Sequence, residues 1–299
     1  MPHFWNLIKP SLSRLAKIRE MRITRLAKNS TPYSPTFGHA KVVARSTLPG
    51  GYYRFEIEEP TLISRVNCGQ FVMLSLPDGD EQRMILPRPM AIHRINETRG
   101  TFEVIFKVVG SGTKQLSKIK IEEDFYVLGP LGNGFEIADS IKDLLLIGRG
   151  IGICSIATVA QVAQRKGISS TAVLSSRQKL ECIAIEDFKE FGSHVITVAD
   201  DEGSSEVSKV EDLLLERYLS TKPDTIMVCG SNRLMGLAVK LGEAWQIPVQ
   251  ASMEAHMACG LGYCHGCSLT PASTTNVESP LVCVDGPVFK LSESFKIGM

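Results

Sequence analysis

Short runs of alternating apolar and polar residues fill the chain from Phe37 to about Phe135, and turn-forming residues separate them. Pro49-Gly50-Gly51, Pro77-Asp78-Gly79 and Gly129-Pro130 are such turns, and alternation with this punctuation is typical of antiparallel strands. Five or six short strands in about 100 residues favour a small barrel. The predicted strands are Ala40–Ala44, Tyr52–Glu58, Gln70–Leu76, Phe102–Val109 and Phe125–Leu128.

From Lys142 to Gln250 the pattern changes to apolar strands that alternate with helices. Strands alternating with helices predict a parallel sheet covered on both faces. The predicted strands are Leu144–Ile147, Thr171–Leu174, Val195–Val198 and Thr225–Val228. The predicted helices lie near Ile153–Arg165, Val210–Tyr218 and Arg233–Trp245.

The residues after about 250 show little regular pattern and hold four of the eight cysteines. The predicted fold class is therefore a β barrel plus an α/β domain, followed by a small carboxy-terminal segment. We predict four parts: a basic extension and linker (1–36), an antiparallel β-barrel domain (37–138), a parallel-sheet α/β domain (139–250) and a cysteine-bearing segment (251–299).

The composition excludes several classes of protein. With 299 residues and a mean hydropathy of +0.04, the chain is long enough for two or three globular domains. No run of about 18 apolar residues occurs, which excludes a transmembrane helix, and a net charge of +1 argues against a dedicated nucleic-acid binder. Eight cysteines are too few for a disulfide framework in a chain of this length, so we expect a reducing, cytoplasmic compartment. Four of them are scattered through apolar segments: Cys68, Cys154, Cys182 and Cys229.

The first 30 residues are strongly basic. Apolar residues recur there at every third position from Leu12 to Met21, which predicts a short basic amphipathic helix that docks on an acidic partner or serves as a transit peptide. A solvated extension is the alternative. Residues 30–35 are expected to form a linker, and no signal-peptide pattern is found, so secretion is not expected. The basic residues, opposed only by Glu20, are Lys9, Arg14, Lys17, Arg19, Arg22, Arg25 and Lys28.

The strongest signal of chemistry is a group of four cysteines in the spacing C-x4-C-x2-C-x15-C. Three thiolates on one loop and a fourth further along match the ligands of plant-type [2Fe–2S] clusters, and glycines between them let the loop turn sharply. Zinc is an alternative, although zinc sites usually have two short Cys-x2–4-Cys hooks and this loop has one. Unreactive buried cysteines are a second alternative. The four are Cys259, Cys264, Cys267 and Cys283.

Two further motifs suggest phosphate binding. Gly148-Arg149-Gly150-Ile151-Gly152 ends a predicted strand and opens a helix, where a Gly-rich turn lets the backbone approach a dinucleotide pyrophosphate. Close strand–helix packing is the alternative reason for these glycines. In the barrel, Arg88 between two prolines is suited to holding one phosphate, and Gly110-Ser111-Gly112-Thr113 offers N–H groups and a hydroxyl to another. The alternative for each is a tight turn.

Taken in order, these motifs resemble the electron-transfer subunits of NAD-linked dihydroorotate dehydrogenase, a family of the ferredoxin-reductase superfamily. The resemblance covers about residues 37–290 and includes Leu128–Phe135, Ala199–Ser204, Met257–Cys267 and Cys283–Phe289. It implies FAD on the barrel, a nicotinamide nucleotide, NAD(H), on the α/β domain and a [2Fe–2S] cluster near a partner interface. It also implies the partner, a separate FMN-containing catalytic dehydrogenase subunit of pyrimidine biosynthesis.

The resemblance implies roles for single residues. For FAD they are Arg88, Pro89, Met90, Ala91, Ile105, Phe106, Lys107, Gly112 and Thr113. For the nicotinamide nucleotide they are Gly148, Gly150, Gly152, Cys229 and Gly230, and for the cluster Cys259, Cys264, Cys267 and Cys283. Nicotinamide exchanges hydride, the cluster exchanges single electrons and a flavin does both, so FAD must lie between them. No catalytic acid or base is expected in this chain.

One departure from the family leaves other functions open. The family usually has glycine where this chain has Arg149, which could clamp a phosphate or crowd the nicotinamide. We expect crowding, so that NADH reduces the flavin poorly. The alternative functions are the small subunit of a ferredoxin-dependent NAD(P) oxidoreductase or of a hydrogenase, and an electron relay that does not bind nicotinamide.

Overall fold

The computed structural model describes residues 22–24, 35–77, 86–269 and 279–292. Their strands form two seven-stranded sheets. No helix within these ranges is long and apolar enough to cross a membrane. The helix predicted near residues 12–21 lies outside the described residues.

The first sheet is an antiparallel half-barrel. Its strands are β2 (Thr36–Leu48), β3 (Tyr52–Glu58), β4 (Phe71–Ser75), β5 (Arg88–Ala91), β6 (Arg94–Asn96), β7 (Thr101–Lys107) and β8 (Asp124–Leu131). The spatial order is β5-β4-β8-β2-β3-β7-β6. Two short helices, α1 (Pro60–Ile63) and α2 (Ser111–Leu116), connect strands.

Alternation of side chains builds the core of the half-barrel. Phe55, Phe102 and Phe125 are fully buried on its inner face, as the period of two predicts. The antiparallel sheet is confirmed. Strands β5 and β6 were not predicted, because β5 has only four residues including Pro89 and β6 has only three. β5 tolerates Pro89 because it lies at the sheet edge, where a missing N–H breaks no ladder.

The second sheet is mostly parallel. Its strands are β9 (Asp143–Arg149), β10 (Ser169–Ser176), β11 (His194–Ala199), β12 (Thr225–Cys229), β13 (Val249–Ser252), β14 (Val288–Ser292) and the amino-terminal β1 (Arg22–Thr24). The order is β1-β14-β13-β12-β9-β10-β11, parallel from β13 to β11, with β14 antiparallel to β13 and β1 antiparallel to β14. Four helices accompany it: α3 (Ile153–Lys166), α4 (Ile185–Glu190), α5 (Val207–Arg217) and α6 (Asn232–Trp245).

Both faces of this sheet are covered, as predicted. Leu144 and Leu146 of β9 pack with α3, while Leu145 and Ile147 pack in the core of α5 and α6. The helix ends follow the sequence: the Ser231 hydroxyl accepts the Leu234 N–H and caps α6. The three predicted helices form within three residues of their predicted bounds, whereas α4 and β13 were not predicted.

The carboxy-terminal segment is not irregular throughout. β13 and β14 are strands of the α/β sheet, and the cysteine-bearing residues form the connection between them. β14 escaped prediction because its apolar run is short and follows a Gly-Pro turn.

A cluster of charged side chains joins the half-barrel to the α/β domain. Arg54 Nη2 of β3 lies 2.5 Å from Asp187 Oδ2 of α4, and His93 Nε2 lies 3.2 Å from the same oxygen. Arg54 also pairs with Glu103 at 2.8 Å, and Arg94 Nη1 lies 3.4 Å from Asp187 Oδ1. His93 is completely buried. These contacts fix the two domains relative to each other.

Candidate functional site

A cavity of about 230 Å3 lies where three parts of the chain meet. The half-barrel, the turn that opens α3 and the connection after β13 each contribute to its wall. Four of the nine residues that the resemblance assigned to the flavin line this cavity: Pro89, Met90 and Ala91 of β5 and Ile105 of β7. The lining residues are Gly69, Phe71, Pro89, Met90, Ala91, Ile105, Ile151, Ser155, Ser252, Met253, Glu254, Ala255, Met257 and Pro287.

Glu254 is a cavity residue that the sequence analysis missed. It lies two residues after β13, at the carboxyl end of a parallel strand, and that position was the available signal. Its side chain lines the cavity and is also exposed to solvent, and desolvation of the carboxyl beside the cavity wall raises its pKa. This shift favours the protonated form of the carboxyl relative to an ordinary glutamate.

Arg88 and Gly112 are brought together as one anion-binding corner. The guanidinium of Arg88 lies so close to Gly112 that a Cβ there would come within 2.5 Å of Arg88 Cζ. The first amides of α2 have no partner within the helix. The corner thus combines a fixed cation with free N–H groups.

Thr113 has a different role from the one expected. Its hydroxyl accepts the N–H groups of Val109 at 3.0 Å and Gly110 at 3.2 Å and donates to the Gly110 carbonyl at 3.1 Å. These three bonds saturate the hydroxyl. Thr113 closes the turn, so at this corner Arg88 and the backbone amides are the groups that could hold a phosphate.

Ile105, Phe106 and Lys107 alternate across β7. Ile105 lines the cavity, and Lys107 Nζ lies 5.0 Å from the centre of the Tyr52 ring. Phe106 points into the half-barrel core, against Tyr53 and Phe55, so only its backbone can face a ligand.

The predicted nucleotide turn lies at the carboxyl edge of the parallel sheet. The chain runs from β9 outward to β10 and β11, then returns to β12 on the other side of β9. Ligands of open α/β sheets bind at such a switch point. Gly152 and Gly230 meet there: a Cβ on Gly152 would lie 2.6 Å from Gly230 Cα.

Packing accounts for part of the glycine pattern. A Cβ on Gly148 would lie 2.8 Å from Ile156 Cδ1 of α3, whereas one on Gly150 would meet only the Tyr52 hydroxyl, at 4.0 Å. Gly150 is therefore the open position of the turn. The Cys229 thiol is buried beneath the edge, and desolvation raises its pKa to about 12.

Arg149 extends sideways along the strand ends. Its Nη1 donates to Ser175 Oγ at 2.7 Å, and its two terminal nitrogens bind the Asp200 carboxylate at 3.2 and 2.6 Å. This hydrogen bonding lowers the pKa of Asp200. The guanidinium lies over β10 rather than over the glycine turn, which argues against the expected crowding of the nicotinamide.

The four predicted cluster cysteines lie on the connection between β13 and β14. Cys267 and Cys283 approach to 3.2 Å between sulfurs, and Cys259 Sγ accepts the N–H groups of Leu261 and Cys264, each at 3.4 Å. Although burial opposes it, hydrogen bonding to Cys259 lowers its pKa to about 7. Among the described residues, no three His, Cys, Asp or Glu side chains form a preassembled metal site. The donor set, four thiols with backbone N–H groups directed at the sulfurs of Cys259 and Cys267, fits an iron–sulfur cluster.

Asn133 docks the cluster segment on the half-barrel. Its Nδ2 donates to the carbonyls of Val284 at 3.0 Å and Asp285 at 3.2 Å. The Leu128–Phe135 motif thus positions the fourth cysteine beside the cavity.

Residues 254–294 match the family described as the iron-sulfur cluster binding domain of dihydroorotate dehydrogenase B. The chain is 30% identical over 257 residues to the electron transfer subunit of dihydroorotate dehydrogenase B (NAD(+)) from Enterococcus faecalis, covering 84% of this chain and 95% of that protein. It is 29% identical over 255 residues to the Thermotoga maritima homolog of that subunit, covering 85% and 86%.

Solved structures show the same fold. A chain of the NADH-dependent reduced ferredoxin-NADP oxidoreductase superposes with a TM-score of 0.69 and 26% identity, covering 84% of this chain and 87% of that one. The ferredoxin reductase of carbazole 1,9a-dioxygenase gives a TM-score of 0.60 at 18% identity, covering 74% and 70%.

Proposed function

The chain belongs to the family of electron-transfer subunits of dihydroorotate dehydrogenase B, and from this premise we propose that it passes electrons between a partner dehydrogenase and NAD(H). A [2Fe–2S] cluster and FAD carry the electrons within the chain. It is an oxidoreductase subunit, and the substrate chemistry takes place in the FMN-containing partner, with dihydroorotate as the substrate.

The observation that carries this proposal is the position of the cavity. Its wall contains Pro89 and Ile105 of the half-barrel, Ile151 of the nucleotide turn, and Met257, two residues before Cys259. One cavity thus adjoins all three predicted binding regions. A redox group held there is next to both its electron donor and its electron acceptor.

FAD exchanges both hydride and single electrons when bound. Arg88 and the backbone N–H groups of Ser111 and Gly112 would hold its phosphates, while Pro89, Met90, Ala91 and Ile105 would contact its ring system. Phe106, Lys107 and Thr113 support this site through the strand and the turn. Glu254 lines the same cavity, where desolvation raises the pKa of its carboxyl.

The nicotinamide nucleotide would bind along the carboxyl edge of the sheet. At Gly150 an added Cβ would meet no close neighbour, so the turn is open there. Gly148 packs against α3, and Gly152 packs against Gly230, so no side chain projects from these three positions. Cys229 lies beneath it with a protonated thiol.

The cluster ligands would be Cys259, Cys264, Cys267 and Cys283. Cys264 is exposed, and the neighbouring side chains of Leu261 and Tyr263 are 49% and 91% exposed. Exposed apolar and aromatic residues are enriched at protein interfaces. We propose that this loop contacts the catalytic partner, which shortens the electron path.

The eight cysteines are free thiols, which supports a cytoplasmic location. We also retain the four-part division at residues 36, 138 and 250 as a proposal. The two sheets support the boundary at residue 138, because β2 to β8 form one sheet and β9 to β13 belong to the other. The last part is joined to the α/β sheet, because β14 pairs with β13.

Cofactor and partner analysis tests this function. Anaerobically purified protein should contain FAD, with iron and acid-labile sulfide near two each per chain. Affinity purification from the native host should recover an FMN-containing dehydrogenase subunit. FMN as the only flavin, zinc in place of iron, or the absence of any flavoprotein partner would contradict the proposal.

A second candidate is favoured by the 26% identity to a chain of the NADH-dependent reduced ferredoxin-NADP oxidoreductase. In that case the same cofactors would serve a ferredoxin-dependent partner. Recovery of such a partner, rather than a dihydroorotate-oxidising subunit, would favour this candidate.

A further inference from the structure

Three neighbouring parallel strands place polar residues at one edge of the sheet. Arg149 is the last residue of β9, Ser175 and Ser176 end β10, and Asp200 follows β11 directly. Arg149 spans all three strand ends by bonding to Ser175 Oγ at 2.7 Å and to both oxygens of Asp200. The two partners of this ion pair are 51 residues apart in the chain.

This ion pair lies where a dinucleotide would bind. The strand ends beside the β9–β12 switch point form the ligand edge of an open α/β sheet. β10 ends in Ser175-Ser176, followed by Arg177, with no acidic residue to meet a ribose. A guanidinium at such an edge matches a phosphate in a planar, bidentate manner.

We propose that Arg149 is a phosphate ligand of the nicotinamide nucleotide and that Asp200 occupies it until the phosphate replaces the carboxylate. This inference rests on the nucleotide binding in the proposed function and adds the group that controls it. The carboxylate imitates the phosphate, so every binding event must first exchange one anion for another.

The exchange leaves no charge unpaired. Asp200 keeps a hydrogen bond from the Ser205 hydroxyl, and Arg233 Nη2 lies 3.8 Å from its Oδ1. Arg149 keeps its bond to Ser175 Oγ. Because removing one partner of an ion pair is costly mainly when the other is left without partners, these remaining contacts make the opening easy.

Exposure also favours exchange. The Asp200 side chain is 42% exposed, while that of Arg149 is 15% exposed. The carboxylate can therefore turn toward water while the guanidinium stays at the edge. A partly exposed ion pair is weak, so a phosphate can displace the carboxylate from the guanidinium.

The test is a binding titration of oxidised, FAD-loaded protein with NAD+ and with NADP+ by calorimetry. Asp200→Asn keeps the shape and the Ser205 contact but removes the competing charge, so Kd should fall about two- to fivefold. Arg149→Gln should raise Kd at least about tenfold. In the double variant, Asp200→Asn should bring no gain, because the competitor acts only through Arg149.

Asp201→Asn is the matched control. Asp201 carries the same charge one residue away but binds the Lys179 N–H, at 3.1 and 3.2 Å, instead of Arg149. Retained FAD shows that each variant is folded. A larger effect of Arg149→Gln on NADP+ than on NAD+ identifies the 2′-phosphate as the group bound, and equal effects identify the pyrophosphate.

The proposal is overturned if Asp200→Asn changes Kd no more than Asp201→Asn does, if its gain persists without Arg149, or if Arg149→Gln leaves binding unchanged or tighter. Binding of neither nucleotide to any variant would overturn the nicotinamide part of the proposed function itself. Normal binding that does not change on substitution of residues 149 and 200 would overturn only the present proposal and would leave the proposed function intact.

Discussion

Gly152 and Gly230 touch through their backbones, so that a Cβ atom on Gly152 would lie 2.6 Å from Gly230 Cα and 2.7 Å from its nitrogen. Backbone atoms cannot move aside as a flexible side chain can. We therefore expect Gly152→Ala to lower the free energy of unfolding by about 1–3 kcal/mol and to weaken nucleotide binding. Denaturant unfolding and nucleotide titration measure the two effects.

Gly236→Ala is the control for that substitution. Gly236 lies on α6 with no atom within 4 Å of an added Cβ. There alanine should raise stability by about 0.5–1 kcal/mol through its higher helix propensity. Equal stability of the two variants would show that the Gly152–Gly230 contact is not tight in solution.

Arg88→Ala should release FAD. A charge-assisted hydrogen bond contributes about 1.5–3 kcal/mol, so the affinity should fall about tenfold to a hundredfold. Gly112→Ala should act in the same direction because its Cβ would lie within 2.5 Å of Arg88 Cζ, whereas Gly110→Ala meets nothing within 4 Å. Flavin retention on gel filtration ranks the three variants, and FAD loss from Gly110→Ala equal to that from Gly112→Ala would refute the role of this corner.

Asp187 should make stability depend on acid pH. Burial acts to raise its pKa, but contacts with His93 and Arg54 outweigh burial and lower it from 3.8 to about 2. Because the pKa is lower in the folded chain, the stabilisation is fully present above about pH 4 and disappears as the pH falls toward 2. Asp187→Asn should therefore destabilise the protein by about 2 kcal/mol at pH 7, with a difference that shrinks below pH 4.

Unfolding as a function of pH measures this difference. Asp139→Asn serves as the control, because Asp139 is fully exposed and forms only a surface pair with Lys166 at 3.4 Å. Surface pairs contribute little to stability. A loss at pH 7 that is the same for both variants would contradict the role of the interdomain cluster.

Long strands and helices were predictable from the sequence, because their repeating pattern of apolar and polar residues indicates which type of element forms. β3 was predicted at Tyr52–Glu58 and is found there, and α3 ends one residue beyond its predicted end. The short strands β5, β6 and β14 were not predicted, because Pro, Arg or a Gly-Pro turn conceals their pattern. They form because neighbouring strands supply their hydrogen bonds.

Site residues were predictable where a motif with fixed spacing along the sequence marks them. They were not predictable where their role depends on a hydrogen bond or ion pair formed in the folded chain. The spacing of four cysteines alone predicted an iron–sulfur segment, and residues 254–294 match an iron-sulfur cluster binding domain. The Thr113 hydroxyl was expected to face a phosphate, yet its own turn saturates it. Arg149 was expected to crowd the turn, and nothing local indicates that Asp200 holds it. Glu254 was missed because a lone glutamate after a strand carries no motif.

Cys264→Ser should remove the cluster and spare the flavin. Cys264 lies on the exposed loop, away from the residues that line the cavity. Iron, sulfide and FAD content measure the outcome. Cys182→Ser is the matched control, since that half-buried thiol contacts the Leu174 carbonyl at 3.8 Å, outside the cluster loop. Loss of iron from both variants, or from neither, would contradict the ligand assignment.

Anaerobic reduction by NADH tests the central claim, that FAD lies between nicotinamide and the cluster. Flavin absorbance and the electron paramagnetic resonance of the reduced cluster are followed together in the wild-type chain and in Cys264→Ser. The account predicts that NADH bleaches the flavin in both proteins and that the cluster signal appears only in the wild type, after bleaching begins. A flavin that stays oxidised in both, or a cluster signal that precedes bleaching, would contradict it.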